Sequence, residues 1–452
     1  MPTSLIYLGI MLLVIIVWFV CMKRPIYEAV FLSFLLLLTI TGTWENLPQY
    51  FEKAISTSLL YSMLAFVCMS ILMTKTKIID GCIGIILALI GRLRGGAGYA
   101  AVISSAFMGS LSGSGPGNVM ATGAITIPSM KRSGFPAELA ANIESNASYM
   151  GNMIPPSSNI VAAMGAFTAL YPNFELSTGK FWIILWGISL WFVIQRVFMV
   201  WAFCKYYKVE PLKKEELPSL KETLKENWTG LLLPVIILLP FVLDYILKDG
   251  FFTERLGAQG AKLLSSSILL FIGGVASIYT CIAARNKSLV TPKAIAMLFS
   301  KSIKSIVPAI AVCLFGYMIG SMFADMNVSE EMGGIIASWN FGKLGTVVAI
   351  CIITCFMGMV IPGSSLVVIF GSTFISTLTN AGCDPLLSAA MLPCICGVMC
   401  GITPPLGLGM YAGMTLAESD FEKTFKNNLW WVAAQFALEV IVLMGWLPIL
   451  GL

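Results

Sequence analysis

Apolar runs of about 20 residues, the length a helix needs to cross hydrocarbon, recur along the chain between short polar connections. They predict crossings near Ser4 to Met22, Tyr27 to Thr43, Thr57 to Met73, Phe181 to Phe203, Gly230 to Leu247, Leu263 to Ala283, Ser305 to Ala324 and Leu429 to Leu450. Two further runs are interrupted: Ala137 to Leu170 at Met153-Ile154-Pro155-Pro156, and Leu386 to Ala417 at Ile402-Thr403-Pro404-Pro405. Before each broken run lies an apolar stretch with a Gly/Ser-rich centre, Ser110 to Gly117 in one case and Ile361 to Ser365 in the other. Each such stretch is expected as two half-length helices, a reentrant hairpin that does not cross.

The order is three crossings, a hairpin, a broken helix and a closing crossing, followed by the same series. Gly115, Gly123 and Gly134 match Gly363, Gly371 and Gly382 at an offset of 248, and Pro136, Ala140, Ala141 and Pro155 match Pro385, Ala389, Ala390 and Pro404 at 249. Seven matches in two fixed frames indicate an internal duplication. Five crossings per half turn the second half upside down relative to the first. The positive-inside rule gives a consistent orientation with both termini outside. Arg92, Arg94, Lys131 and Arg132 flank the first hairpin, which then enters from the cytoplasm, whereas Asp325, Glu330, Glu331 and Asp384 surround the second, which enters from outside. The fold class expected is an all-α polytopic membrane protein with an inverted-topology repeat.

Composition agrees. Of 452 residues, 58% are hydrophobic and 11% charged, which leaves no water-soluble surface and no soluble catalytic domain. Net charge is +5, and its meaning lies in placement, not in binding nucleic acid. Histidine is absent, which removes imidazole relays, His metal sites and His-based nucleophile activation. The 12 cysteines lie in or beside apolar runs without zinc or CxxC spacing and are expected as small buried hydrophobes. Ser4 to Met22 is too long for a signal h-region and is followed, not preceded, by Lys23 and Arg24, so it is expected as a retained first span. Ile78 to Arg94 is expected as an interfacial amphipathic arm, Val328 to Lys343 as its outer counterpart, and Lys205 to Asn227 as a linker with a short surface helix.

Non-helical backbone at membrane depth is tolerated only against protein or a watery cavity, so four Gly/Pro interruptions imply such a cavity. Half-helix N-termini pointing into it favour anions, and exposed carbonyls coordinate small cations. Ser112, Gly113, Ser114 and Asn118 are expected to meet the break at Met153, Ile154 and Pro155, with Ser157, Ser158 and Asn159 beyond it; Gly363, Ser364 and Ser365 are expected to meet Gly401, Ile402 and Thr403. These hard, neutral oxygen sets suit an alkali cation, giving two cation sites flanking one anion site. For the anion the candidates are Ser114, Asn118, Asn152, Ser157, Ser365 and Thr403. A Pro-Pro pair is most often only a kink, and small residues often serve packing; recurrence at matched offsets favours function here. Asn142, Glu144, Ser145, Asn146, Ser148 and Asn152 make the helix before the first break unusually polar, and Glu144 is either a pathway group or a packed carboxyl. Glu439, with Gln435, is expected to face a neighbouring helix or subunit, and Arg196 to snorkel to the cytoplasmic edge.

The segments Gly109 to Gly115 and Ala121 to Gly134, the Pro155-Pro156 break, Gly358 to Ser365 and Gly401 to Gly407 together resemble the large membrane (permease, DctM-like) subunit of the tripartite ATP-independent periplasmic (TRAP) transporters, in the branch served by TAXI-type binding proteins. The resemblance covers most of the chain; Gly115-Pro116-Gly117 and Asn152 depart from the family pattern. It implies an elevator-type secondary transporter of the bacterial inner membrane with Na+ coupling at two sites, a separate small four-helix membrane subunit and an extracytoplasmic solute-binding protein. Carried over, the first sodium site comprises Ser112, Gly113 and Ser114 with Met153 to Pro155, and the second Ser364 and Ser365 with Gly401 to Thr403. The implied organisation is a scaffold (1–77, 173–227, 228–327 and 421–452), arms (78–95 and 328–343) and a transport domain (96–172 and 344–420).

The resulting expectation is sodium-driven uptake of a small organic anion, a carboxylate, by a protein that is not an enzyme. The alternative is a stand-alone carboxylate/cation symporter or cation/proton antiporter of the same architecture. A membrane-embedded hydrolase has neither a histidine nor an HExxH motif to work with.

Overall fold

A computed structural model describes residues 3–452 except 77, 113–114, 175, 214, 216, 329–330, 332–333, 335–340, 360 and 405; Ser112 is described in its backbone only. Among the described residues every regular element is a helix. In chain order these are α1 Thr3–Ile15 (continued by a π-helical turn, Ile16–Cys21), α2 Ile26–Thr41, α3 Leu47–Ser56, α4 Ser58–Thr76, α5 Ile78–Ile90, α6 Gly96–Ser112, α7 Gly115–Arg132, α8 Ala137–Met150 and α9 Ser158–Leu170. The second half follows α10 Thr178–Tyr206 with α11 Leu220–Leu247, α12 Thr253–Ala283 (interrupted at Gly257), α13 Pro292–Asp325, α14 Gly342–Gly358, α15 Gly363–Asn380, α16 Pro385–Leu392, α17 Leu408–Ala417 and α18 Phe421–Leu443. α16 runs on through a π-helical segment, Pro393–Val398, and a last turn, Met399–Ile402.

The duplication is visible in the backbone. α7 and α15 have 18 residues each and begin and end at an offset of 248. Both stop at a glycine with positive φ, Gly134 at 94° and Gly382 at 93°, and both close the same way, Phe135 N donating to Met130 O and Cys383 N to Leu378 O. This is the helix-ending turn in which a left-handed residue lets the chain satisfy the last carbonyls, and glycine adopts it without the Cβ penalty.

The inner layer is crossed. The first hairpin (α6, α7) packs on α8 and α17, while α15 of the second hairpin packs on α9 and α16, so each hairpin touches one half of each broken helix. The long helix α10 shows that the hairpins approach from opposite ends. In its first half, Gly187 lies against Ile449 and Leu450, and Trp191 Nε1 donates to Pro448 O; just upstream in the chain, Met444 O accepts from Lys343 at the base of the second hairpin. About 20 Å further along, at roughly 1.5 Å per residue, Val200 and Cys204 pack on Gly98 and Gly95 at the base of the first. The tips meet between these ends.

Six helices among the described residues are long and apolar enough to cross a membrane. Their burial separates periphery from core: the Leu220–Leu247 span is only 28% buried, against 94% for Pro385–Ile402. Exposed Leu239, Phe271 and Ile278 give α11 and α12 apolar outer faces, and an apolar outer face is where lipid is the solvent.

Three boundaries differ from those expected. α11 starts at Leu220, so the last third of the supposed linker is the first turns of a long helix and not a separate surface helix. α18 starts at Phe421, capped by the Asp420 side chain accepting from Lys423 N, and stops at Leu443 before the positive-φ Gly445; hydropathy had shifted this helix downstream because its first turns carry Glu422, Lys423 and Lys426. The amphipathic α3, which buries Tyr50 and Ala54, is too short and polar to register as a span. The segment expected as the inner arm is helical from Ile78 to Ile90, as α5; the expected outer arm lies largely outside the described residues.

Candidate functional site

Both hairpin tips and both breaks open onto one cavity of about 390 Å³. Gly115 and Pro116 come from the first tip, and Pro362 to Ser365 from the second. Asn152, Pro156, Ser158 and Asn159 come from the first break, Gly397, Cys400, Leu406 and Leu408 from the second, and Met63, Phe66 and Val312 of the outer helices close the far wall. The first residues of α7, α9, α15 and α17 all line it. A helix start carries unpaired N–H groups and the positive end of the dipole, so each of these four ends can offer N–H donors to an anion in the cavity. Among the described lining residues none is Lys, Arg, Asp or Glu.

Some of these N–H groups are already met within the chain. Ser157 Oγ accepts from Asn159 N at 3.3 Å, capping α9, and Gly363 N donates to Cys400 Sγ at 3.0 Å. Gly363 admits no side chain, since a Cβ there would lie 2.5 Å from Cys396 O and 2.6 Å from Gly397 Cα. The second tip is therefore seated directly on the backbone of the π-helical segment.

The expected site residues divide. Asn152, Gly363, Ser364 and Ser365 line the cavity. Asn152 Nδ2 also donates to Gly397 O at 2.9 Å, from the first break to the second repeat. Asn118 is buried off the lining, its amide donating to Ser105 O and Ser148 Oγ. Ser157 acts as the α9 cap, and Thr403 Oγ1 donates back to Met399 O at 2.8 Å. Met153 and Ile154 are buried at the break, which Pro155 continues to the lining residue Pro156, and Met153 O accepts from Ser189 Oγ of α10 at 3.0 Å. Gly401 and Ile402 end the first part of the second broken helix, with Ile402 O accepting from Asn428. Ser112 has no described side chain, and Gly113 and Ser114 lie outside the described residues.

Two buried polar clusters lie beside the cavity. Glu144 is fully enclosed: its Oε1 accepts from Ser105, Thr122 and Ser148 and its Oε2 from Thr126. Four hydroxyls from both hairpin helices and its own helix thus wrap one carboxyl, which makes it a packed, partnered group. Arg196 does not snorkel. It is 0% exposed, its guanidinium donating to Gln195 and Gln435. Gln435 Nε2 in turn donates to Glu439 Oε1 at 2.7 Å and contacts Cys394 Sγ. The chain of contacts joins α10, α18 and the π-helical segment, and mid-helix Arg196 has partners there that its stem would lose by reaching for the surface.

Sequence reasoning passed over Tyr149, Gly397 and Cys400. Tyr149, which lines the cavity, is the one aromatic residue in a polar run, a signal too weak to assign. The other two look like ordinary small residues of an apolar helix.

The tripartite ATP-independent periplasmic transporter, DctM component, is the family whose model matches residues 8–450. The chain belongs to this family. It is 27% identical over 415 residues to the C4-dicarboxylate TRAP transporter large permease protein DctM of Pseudomonas aeruginosa, covering 88% of this chain and 87% of that one. The Vibrio cholerae protein of the same name is 26% identical, with 86% of each covered. Among solved structures, MtrF of Neisseria gonorrhoeae, described as illuminating a class of antimetabolite efflux pumps, superposes with a TM-score of 0.62 at 14% identity over 90% of this chain and 84% of that one; it shares the fold. The DctM component is a multi-pass membrane transport permease and not an enzyme, and as the large subunit of a tripartite system it works with a smaller membrane subunit and a solute-binding protein.

Proposed function

We propose that this permease takes up a small organic anion, a carboxylate, across the bacterial inner membrane by sodium symport, receiving it from an extracytoplasmic solute-binding protein. The observation that carries the reading is the convergence of four helix N-termini on one largely apolar cavity whose polar side chains are hydroxyls and amides, with no described basic side chain. Such a site stabilises a carboxylate through N–H dipoles that are already in place. A cavity of about 390 Å³ falls within the range used for small ligands, and relatives named for C4-dicarboxylates support the substrate class.

α6, α8, α14 and the extension of α16 end beside the tips and breaks, and the carbonyls of a helix end are the complement needed by a cation. Sodium is assigned to Ser112, Gly113 and Ser114 with Met153 to Pro155, and to Gly363, Ser364 and Ser365 with Gly401 to Thr403. Anion and cations sharing one cavity lower each other's desolvation cost, which is the physical basis for coupling. The crossed inner layer of hairpins and broken helices is the moving transport domain of an elevator; α10, α18, the crossings before α5 and those from α11 to α13 form the scaffold.

The test is uptake of labelled C4-dicarboxylate into vesicles holding this chain and its small membrane partner, with the binding protein outside and sodium and proton gradients imposed separately. Sodium-driven, binding-protein-dependent uptake is expected, abolished by Ser364→Leu with membrane insertion intact. Uptake by this chain alone would establish the stand-alone symporter or antiporter instead, and uptake driven only by protons would remove sodium.

A further inference from the structure

Tyr149 stands in the last turn of α8, 5% exposed, with its ring on the cavity lining. Three glycines hold that ring. A Cβ at Gly115, the first residue of α7, at Gly401, just before the second break, or at Gly409, just after it, would collide with the Tyr149 ring. One aromatic side chain of the first repeat therefore touches the first hairpin tip and both sides of the break in the second repeat. Three residues on, Asn152 makes another cross-repeat contact, to Gly397 O. The link is one-sided: at the offset of 249 the counterpart of Tyr149 is Val398, inside the π-helical segment.

We propose that Tyr149 is a positioning residue that couples the two cation positions, one at the first tip and break and the other at the second. A ring packed against three backbones, with its remaining edge on the cavity, passes a shift of one backbone to the other two. When a cation draws in the first tip, Gly115 moves against the ring and the ring moves against Gly401 and Gly409, changing the carbonyl geometry at the second break. Coupling of this kind is a free energy shared by two sites. The inference rests on the sodium reading proposed above.

Binding of radiolabelled sodium to the purified full-length chain tests it, at constant ionic strength with choline chloride. Wild type is expected to bind cooperatively, with a Hill coefficient between about 1 and 2, the ceiling for two sites. In Tyr149→Ala and Gly401→Ala the coefficient falls to about 1 and half-saturation rises about tenfold, within the usual span of coupling; Tyr149→Phe, which keeps the ring, retains the steepness. Should Tyr149→Ala not accumulate, Tyr149→Leu and Gly401→Ala carry the same expectation. A merely structural role would lower the amount of active protein without changing the steepness. No saturable sodium binding by wild type defeats the sodium reading itself, whereas non-cooperative wild type, or variants as steep as wild type, overturn the coupling and leave that reading standing.

Discussion

Between hairpin and broken helix in the first repeat, Glu144 is wrapped by Ser105, Thr122, Thr126 and Ser148; the positions that correspond to Glu144, Thr122, Thr126 and Ser148 in the second repeat hold Pro393, Phe370, Phe374 and Gly397. The backbones of α7 and α15 match residue for residue, yet one space is filled by a hydrogen-bonded carboxyl and the other by packed apolar groups, with the Phe370 and Phe374 rings 5.9 Å apart. The difference reaches the helices themselves. α8 is regular up to Met150, whereas its counterpart turns π-helical at Pro393, where the missing N–H breaks the ordinary ladder. A symmetric frame thus carries two unlike fillings: a polar nest that orders one half and a bulge in the other that turns the Gly397 carbonyl to Asn152.

The largest expected effect breaks the polar nest. Glu144→Leu leaves the buried Ser105 and Ser148 hydroxyls without this acceptor, while Thr122 and Thr126 keep backbone carbonyls, and should cost about 4 kcal/mol, seen as a drop in the thermal unfolding midpoint of the detergent-purified chain. The mirror change Phe370→Leu, a loss of packing alone, should cost only about 1 kcal/mol; equal costs would mean that the two fillings do the same work. Next comes Gln435→Leu, which separates Arg196 from Glu439 and exposes each to a buried environment without its bridge, for about 3 kcal/mol in the same assay. Gly363→Ala sharpens the comparison at the cavity. It forces the second tip off the Gly397 backbone, and vesicle uptake should fall at least about tenfold, or about 1.4 kcal/mol, at unchanged membrane insertion. The smallest effect is that of Asn152→Ala, which removes one hydrogen bond between the repeats and should weaken apparent substrate affinity about fivefold, near 1 kcal/mol; an unchanged affinity would show that the Cys400 thiol, which also donates to the Gly397 carbonyl, suffices for it.

What the sequence alone determined were features written in short stretches. Apolar length gave the crossings, Gly and Pro marked the two tips and two breaks, and a constant spacing of glycines revealed a duplication that the positive-φ pair Gly134 and Gly382 then reproduced. These follow from hydropathy and from backbone conformations that few residues adopt, and both are local. Tertiary structure alone decided how distant segments meet: that Glu144 is satisfied by hydroxyls, that Arg196 is buried beside Gln435, that Asn118 and Thr403 turn away from the cavity, and that Tyr149 lies in a cradle of glycines from two repeats. Such pairs join residues up to about 260 positions apart, and which partner a side chain finds is set by close packing of whole helices. No pattern within a single helix carries that information.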